Sequence, residues 1–287
     1  MMHSIPSALV GVLIAVPAFA QDKHTLRLKF VPGHVVHTLQ TQDMTMNMAM
    51  GEQKMNTTMA MQMWCEAKTI EVKDGVAVME QTYRRMKAKA DGPGMKVDYD
   101  SDVEGSKAGM LAGASKLVGQ KVTVKVDEGS NLKDVSVPED LVDELERAGV
   151  NLRESFEQSF TSFPKDPIAI GETWTTTREM AMGQMGKMKT KVTNKLVEVK
   201  DNVATIEQKM EMDEAGSELM PGMKVTLTKA EGLAKVDLRN GIPVDMKTEM
   251  QMKMGDAMAM TIQTLAKQVE PPAPKAASKA EPPAPGK

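Results

Sequence analysis

Between Gln21 and Val269 apolar and polar residues alternate with a period of two, as in Leu26, Leu28 and Phe30, or in Met44, Met46, Met48 and Met50. A strand points successive side chains to opposite faces, so this alternation predicts half-buried β-strands. Turn pairs punctuate the pattern at Pro32-Gly33, Gly51-Glu52, Asp74-Gly75, Pro93-Gly94, Pro221-Gly222, Asn240-Gly241 and Gly255-Asp256. A mostly β, antiparallel protein follows.

The period changes in the middle of the chain. Residues 107–118 are Ala-rich and read as a helix. Residues 138–148 place Leu141, Val142, Leu145 and Ala148 at helical spacing, with Pro138 at the start and Gly149 past the end. Residues 151–163 form a third helix, with Asn151 and Glu154 as a capping pair and Leu152, Phe156, Phe160 and Phe163 on one face, ending before Pro164.

An internal repeat organises the strands. Glu71–Gln81 matches Glu198–Gln208 at eight of eleven positions, Pro93-Gly-Met-Lys-Val97 recurs as Pro221-Gly-Met-Lys-Val225, and Met48-Ala-Met-Gly51 recurs as Met180-Ala-Met-Gly183. The three matches keep their order, which predicts two copies of one β-meander, about 26–137 and 168–269. The expected architecture is a curved sheet or open half-barrel with the central helices packed against it.

The two ends fall outside this pattern. Residues 1–20 have a polar start, an apolar run from Ala8 to Val16, then Pro17, Ala18 and Ala20, which is the arrangement of a signal peptide. The expectation is an exported chain, periplasmic or secreted, beginning near Gln21. The only cysteine, Cys65, lies far from the cut, so no lipid anchor is expected, and no later run is long and apolar enough for a helical span. Residues 270–287 repeat Glu-Pro-Pro-Ala-Pro without a large apolar residue and are expected to be a disordered tail.

Composition sharpens the strand reading. The chain holds 28 methionines, while aromatic residues make up only 3%. Methionine is an unbranched, polarisable filler and here does work usually left to Phe, Tyr and Ile. With 36 basic and 39 acidic residues the formal net charge is -3, which gives no basic face for nucleic acid.

The methionines fall in stripes. A hairpin closed by the four residues Gly51 to Lys54 would pair Met50 with Met55, Met48 with Thr57, Met46 with Met59 and Met44 with Met61, all on one face. Asp43, Thr45, Asn47, Asn56, Thr58 and Gln62 would then form a solvated opposite face. Met250, Met252 and Met254 share a face with Met258 and Met260 only if the loop between them has an odd residue count, so a three-residue loop, Gly255 to Ala257, is predicted.

Three uses of these stripes follow from their chemistry. They can be packed core. They can line a deformable apolar concavity that takes a lipid or another hydrophobic ligand. Or thioethers at M-x-M spacing, with Met44, Met46, Met59 and Met61 as candidates, can converge on Cu(I), since soft sulfur suits that ion.

Other chemistry is thin. His34 and His37, three residues apart on a strand, point to opposite faces, and with His24 they are read as solvated strand residues. Asp98, Asp100, Asp102 and Glu104 echo a calcium loop, but Val103 stands where its glycine belongs and Gly109 where its closing glutamate belongs. No nucleophile elbow, phosphate loop or Cys/His pair occurs, so no catalytic residue and no cofactor are assigned, and the chain is read as noncatalytic.

The Met-rich hairpin, Tyr99-Asp100-Ser101, Leu117-Val118-Gly119-Gln120 and Phe163-Pro164 leading to Gly171-Glu172-Thr173-Trp174 resemble a bacterial exported family known only as a domain of unknown function. That resemblance spans most of Leu26 to Ile262 and implies no activity. In architecture alone the plan is similar to envelope lipoprotein carriers of the LolA and LppX type, which implies a curved sheet around acyl chains and no particular site. The expected function is a noncatalytic exported binding protein with an apolar Met-lined interior for a lipid or hydrophobic small molecule; Cu(I) binding and a structural role in the envelope are the alternatives.

Overall fold

The computed structural model describes residues 22–51, 53–138, 141–142, 156, 162–181, 187–213, 218–220 and 223–271. Residues 1–20, most of 138–148 and of 151–163, and the tail from 272 lie outside the described residues, so the signal peptide, the second and third helices and the tail are expectations that stand where they were. Leu141, Val142 and Phe156, which are described, are helical.

The strands are β1 (Lys23–His24), β2 (Val35–Met50), β3 (Gln53–Lys73), β4 (Val76–Gly92), β5 (Met95–Asp100), β6 (Lys121–Asp127), β7 (Leu132–Ser136), β8 (Ile168–Ala169), β9 (Thr173–Ala181), β10 (Lys187–Lys200), β11 (Val203–Met212), β12 (Glu218–Met220), β13 (Met223–Asp237), β14 (Ile242–Met254) and β15 (Met258–Gln268). All but β1 and β8 join one antiparallel sheet in the order β7-β6-β4-β3-β2-β15-β14-β13-β11-β10-β9, with β5 on β4 and β12 on β13. The path ends at β7 and β9, both from the middle of the chain, so the sheet is open. Its seam is the pairing of β2 with β15, which brings the two halves of the chain side by side.

The sequence repeat falls on two equivalent hairpins. Asp74 and Gly75 turn β3 into β4 with φ of 50° and 73°, and Asp201 and Asn202 turn β10 into β11 with φ of 50° and 62°. Positive φ at both central residues gives the turn whose twist matches the flanking strands, and Gly and Asn tolerate it best. The stretch after Pro93 is two strands, β5 and β6, both paired to β4. The stretch after Pro221 is one long strand, β13.

Between β5 and β6 the chain forms a 3-10 turn, Gly109–Leu111, and a single α turn, Ala112–Ser115. This replaces the longer helix expected over 107–118. Neither turn has a side-chain cap, and Gly105, Gly109 and Gly119 all take positive φ, so nothing propagates a regular helix.

The larger hydrophobic cluster fills one end of the concave face. It joins Val122, Val124 and Val126 of β6 with Leu196 of β10, Ile206 of β11 and Val236 of β13, from opposite halves of the sheet. Between them sit Leu26 and Leu28 from the N-terminal segment, with Leu117, Leu141, Phe156 and Phe163. The N-terminal segment bridges the halves through its backbone: Leu28 N–H donates to Glu128 O at 2.9 Å and Lys29 N–H to Asn240 O at 2.8 Å. Gly241 makes that approach possible, because a Cβ there would stand 2.0 Å from Arg27 O.

Candidate functional site

The register of the central strands decides what the methionines do. The β2–β3 loop has two residues, Gly51 and Glu52, where four were expected. Gly51 at φ +62° permits this tighter turn. The pairs are Met50 with Gln53, Met48 with Met55, Met46 with Thr57, Met44 with Met59 and Gln42 with Met61. A shift of two residues keeps the face, so the sulfurs still point one way. On the other face Asp43, Asn47, Asn56, Thr58 and Gln62 are exposed. The β14–β15 loop has the three residues Gly255 to Ala257, with Met254 opposite Met258 and Met252 opposite Met260.

Because β15 also pairs with β2, the two stripes become one field. A first cross-strand row nearest the loops is Met254, Met258, Met48 and Met55. A second is Met252, Met260, Met46 and Thr57, and a third is Met250, Ile262, Met44 and Met59. Neighbours in a row stand about 5 Å apart and rows about 7 Å. Of the four Cu(I) candidates only Met44 and Met59 are directly opposed; Met46 faces Thr57 and Met61 faces Gln42. The compact set is instead the first row.

The field is packed on one side and open on the other. Met250, Met252 and Met254 are buried with Val225 and Ala230 in a second cluster, flanked by Met210, Met212, Leu227, Met258, Met260 and Ile262. Met44, Met46, Met48, Met55, Met59 and Met61 are half-buried and belong to neither cluster. The side chain of Met50 lies outside the described residues.

A groove of about 1380 Å³ opens where the ladder between β11 and β13 stops after Lys209 and Glu231. Its inner lip is Met210, Met212, Val225 and Leu227 of the second cluster, and its outer lip carries Lys209, Glu211, Lys229 and Glu231. The outer charges pair across and along strands, Lys229 with Glu249 and with Glu231 at 2.9 Å each. The groove therefore lies beside the sulfur field, not on its half-buried part.

Cys65 is buried, and burial pushes its thiol pKa up to about 12 against an opposing hydrogen bond from Gln81. His34 is exposed and His24 half-buried, while His37 Nδ1 is 3.9 Å from Glu66. Asp100 is gripped by Arg85, Nη2 to Oδ2 at 2.7 Å, with Lys87 Nζ at 3.3 Å. Those cations neutralise the carboxylate, and the Arg85 hydrogen bonds hold it well below the usual carboxylate range. Among the described residues no group of three or more His, Cys, Asp or Glu gathers as a metal site.

Sequence reasoning missed a polar row. Directly below the third sulfur row, Gln42, Thr264 and Thr248 lie opposite one another on β2, β15 and β14. Across Gly232 the row continues to Gln208 and Asn194, which are buried and joined by Gln208 Nε2 donating to Asn194 Oδ1 at 2.8 Å. A Cβ on Gly232 would meet Thr248 Cγ2 at 3.0 Å and Gln208 Oε1 at 3.2 Å, so glycine keeps the row continuous. The signal was in the parity: Gln42 precedes Met44, Thr248 precedes Met250 and Thr264 follows Ile262, each on the sulfur face.

Residues 149–243 match the model of a family of unknown function (DUF6263). No curated protein matches the chain. Among solved structures, one on lipid–protein interactions in lipovitellin aligns at a TM-score of 0.53 and 11% identity, over 88% of this chain and 27% of that one. The chain thus spans about a quarter of the lipovitellin chain, and the likeness is one of fold. DynF from the dynemicin biosynthesis pathway of Micromonospora chersina aligns at 0.21 and 8% identity, over 94% and 98% of the two chains. The Acinetobacter baumannii outer membrane protein Omp33 aligns at 0.16 and 6% identity, over 85% and 99%. Neither overlaps closely enough to bear on the fold. Among the described residues no helix is long and apolar enough to cross a membrane.

Proposed function

We propose that this chain is a noncatalytic, exported binding protein that holds a lipid or similar hydrophobic molecule against the sulfur-lined concave face of β15, β2 and β3. The observation that carries this reading is the half-buried state of Met44, Met46, Met48, Met55, Met59 and Met61 beside a fully packed continuation on β14. Apolar surface left partly uncovered next to a finished core is unfavourable unless something covers it. Thioether chains suit the task because they adapt to varied apolar shapes. The fold likeness to lipovitellin, a protein studied for its lipid interactions, supports the same reading. The test is mass spectrometry of the organic extract of protein purified from its native host. A recurrent bound amphiphile is expected, and a clean extract from protein whose Met46 resists peroxide as well as Met252 does would reject it.

A second reading is favoured by one feature, the row Met254, Met258, Met48 and Met55 beside both hairpin loops. Four thioethers on adjacent strands offer Cu(I) a soft site. Titration of Cu(I) against a competing chelator tests it: replacing Met48 and Met258 by Leu should abolish binding, and unchanged affinity would remove that reading.

A further inference from the structure

The sulfur field ends at the polar row, and that row has no charge. Gln42, Thr264 and Thr248 are half-buried, and none of the three makes a side-chain hydrogen bond to a described residue. Gln42 alone brings two donors and an acceptor, and each threonine a hydroxyl that does both. Above them lie about 20 Å of thioether surface, three row intervals of about 7 Å each. Below them Met246, Ala266 and Gln40 form the next row, where the larger cluster begins.

Charge is absent from this face more widely. On β10, β11, β13, β14, β15, β2, β3, β4 and β5 every described residue of the four rows is apolar, hydroxyl or amide. The one charged residue in register with them, among the described residues, is Arg178, opposite Thr190 on edge strand β9. Arg178 is several strands from Gln42 in the sheet order. Carrying a phosphate or carboxylate into such a face strips its hydration without supplying a counter-charge, whereas a hydroxyl or ester head exchanges water for amide and hydroxyl partners.

Resting on the reading above, we propose that the ligand is an uncharged amphiphile of the monoacylglycerol kind, with its head hydrogen-bonded to Gln42, Thr264 and Thr248 and its tail laid along the methionine rows. The polar row sets the depth of binding and selects the neutral head.

The test uses the full mature chain and the uncharged dye N-phenyl-1-naphthylamine. Bound dye is displaced below the micelle threshold by monopalmitoylglycerol, palmitate or lysophosphatidic acid, all with the same acyl chain. Monopalmitoylglycerol should displace at about tenfold lower concentration than either anion, the size of one unmade buried hydrogen bond or more. In Gln42→Leu with Thr264→Val that preference should fall at least fivefold while dye affinity stays. Equal or better displacement by the anions overturns the proposal, and loss of that displacement in Arg178→Gln would locate the acid head at β9. If the dye does not bind the wild-type chain, the underlying binding reading falls with it.

Discussion

Truncating Met252 and Met46, two sulfurs in one cross-strand row, should have different consequences. Met252 on β14 is 1% exposed and sits within the second cluster opposite Leu227 and Met260. Met252→Ala removes its three outer heavy atoms and leaves a cavity in packed surroundings, a change that costs about 3 kcal/mol. Met46 on β2 is half-buried and in neither cluster. Met46→Ala loses part of a transfer term of about 1.5–3 kcal/mol and adds no closed cavity, so about 1 kcal/mol is expected. For a chain of this size the melting shifts are about 6–12 °C and about 2–4 °C respectively. Urea titrations of the two variants, compared at equal slope, measure the difference directly. Costs that agree within about 0.5 kcal/mol would mean that β2 is closed core and would refute the account of an open face.

Three further outcomes follow. Gly241→Ala should destabilise by more than 2 kcal/mol, roughly, since its Cβ would meet Arg27 O at 2.0 Å and φ is +67°; a shift within error in thermal melting would mean that the N-terminal segment is not seated there. At pH 8 Cys65 should resist Ellman's reagent in the folded chain and react in guanidinium chloride, because burial holds its thiol protonated; rapid native labelling would contradict its placement. Asp100 has a lowered folded pKa from Arg85, so its contribution is fully present above the unfolded value of about 3.9 and fades as pH falls through and below it. Asp100→Asn should therefore be less stable than wild type at pH 7, with a gap that begins to narrow below the unfolded value and closes only as pH falls through the strongly lowered folded one; a gap as large at pH 2 as at pH 7 would exclude the ion pair as its cause.

Strand periodicity and face assignment were legible because both depend only on parity. That is why the odd-length Gly255–Ala257 loop and the common face of Met44 to Met50 with Met55 to Met61 could be read from spacing. The β2–β3 register was not, since loops of two and four residues give the same parity and only the Gly51 conformation separates them. The helix over 107–118 shrank to two short turns because alanine propensity had no cap to act with. The polar row needed the β2–β15 seam, a pairing of residues from opposite ends of the chain that no local pattern encodes. Each of its members reads alone as a lapse in a methionine stripe, and only the register turns three lapses into a boundary.

The most direct test of the open sulfur face is fluorescence titration of the mature chain with N-phenyl-1-naphthylamine, alongside Met46→Asp and the outer-face control Thr58→Asp. Saturable binding by wild type and Thr58→Asp, lost in a folded Met46→Asp, is the predicted result. Binding that Met46→Asp leaves unchanged, or no binding by wild type, would contradict it.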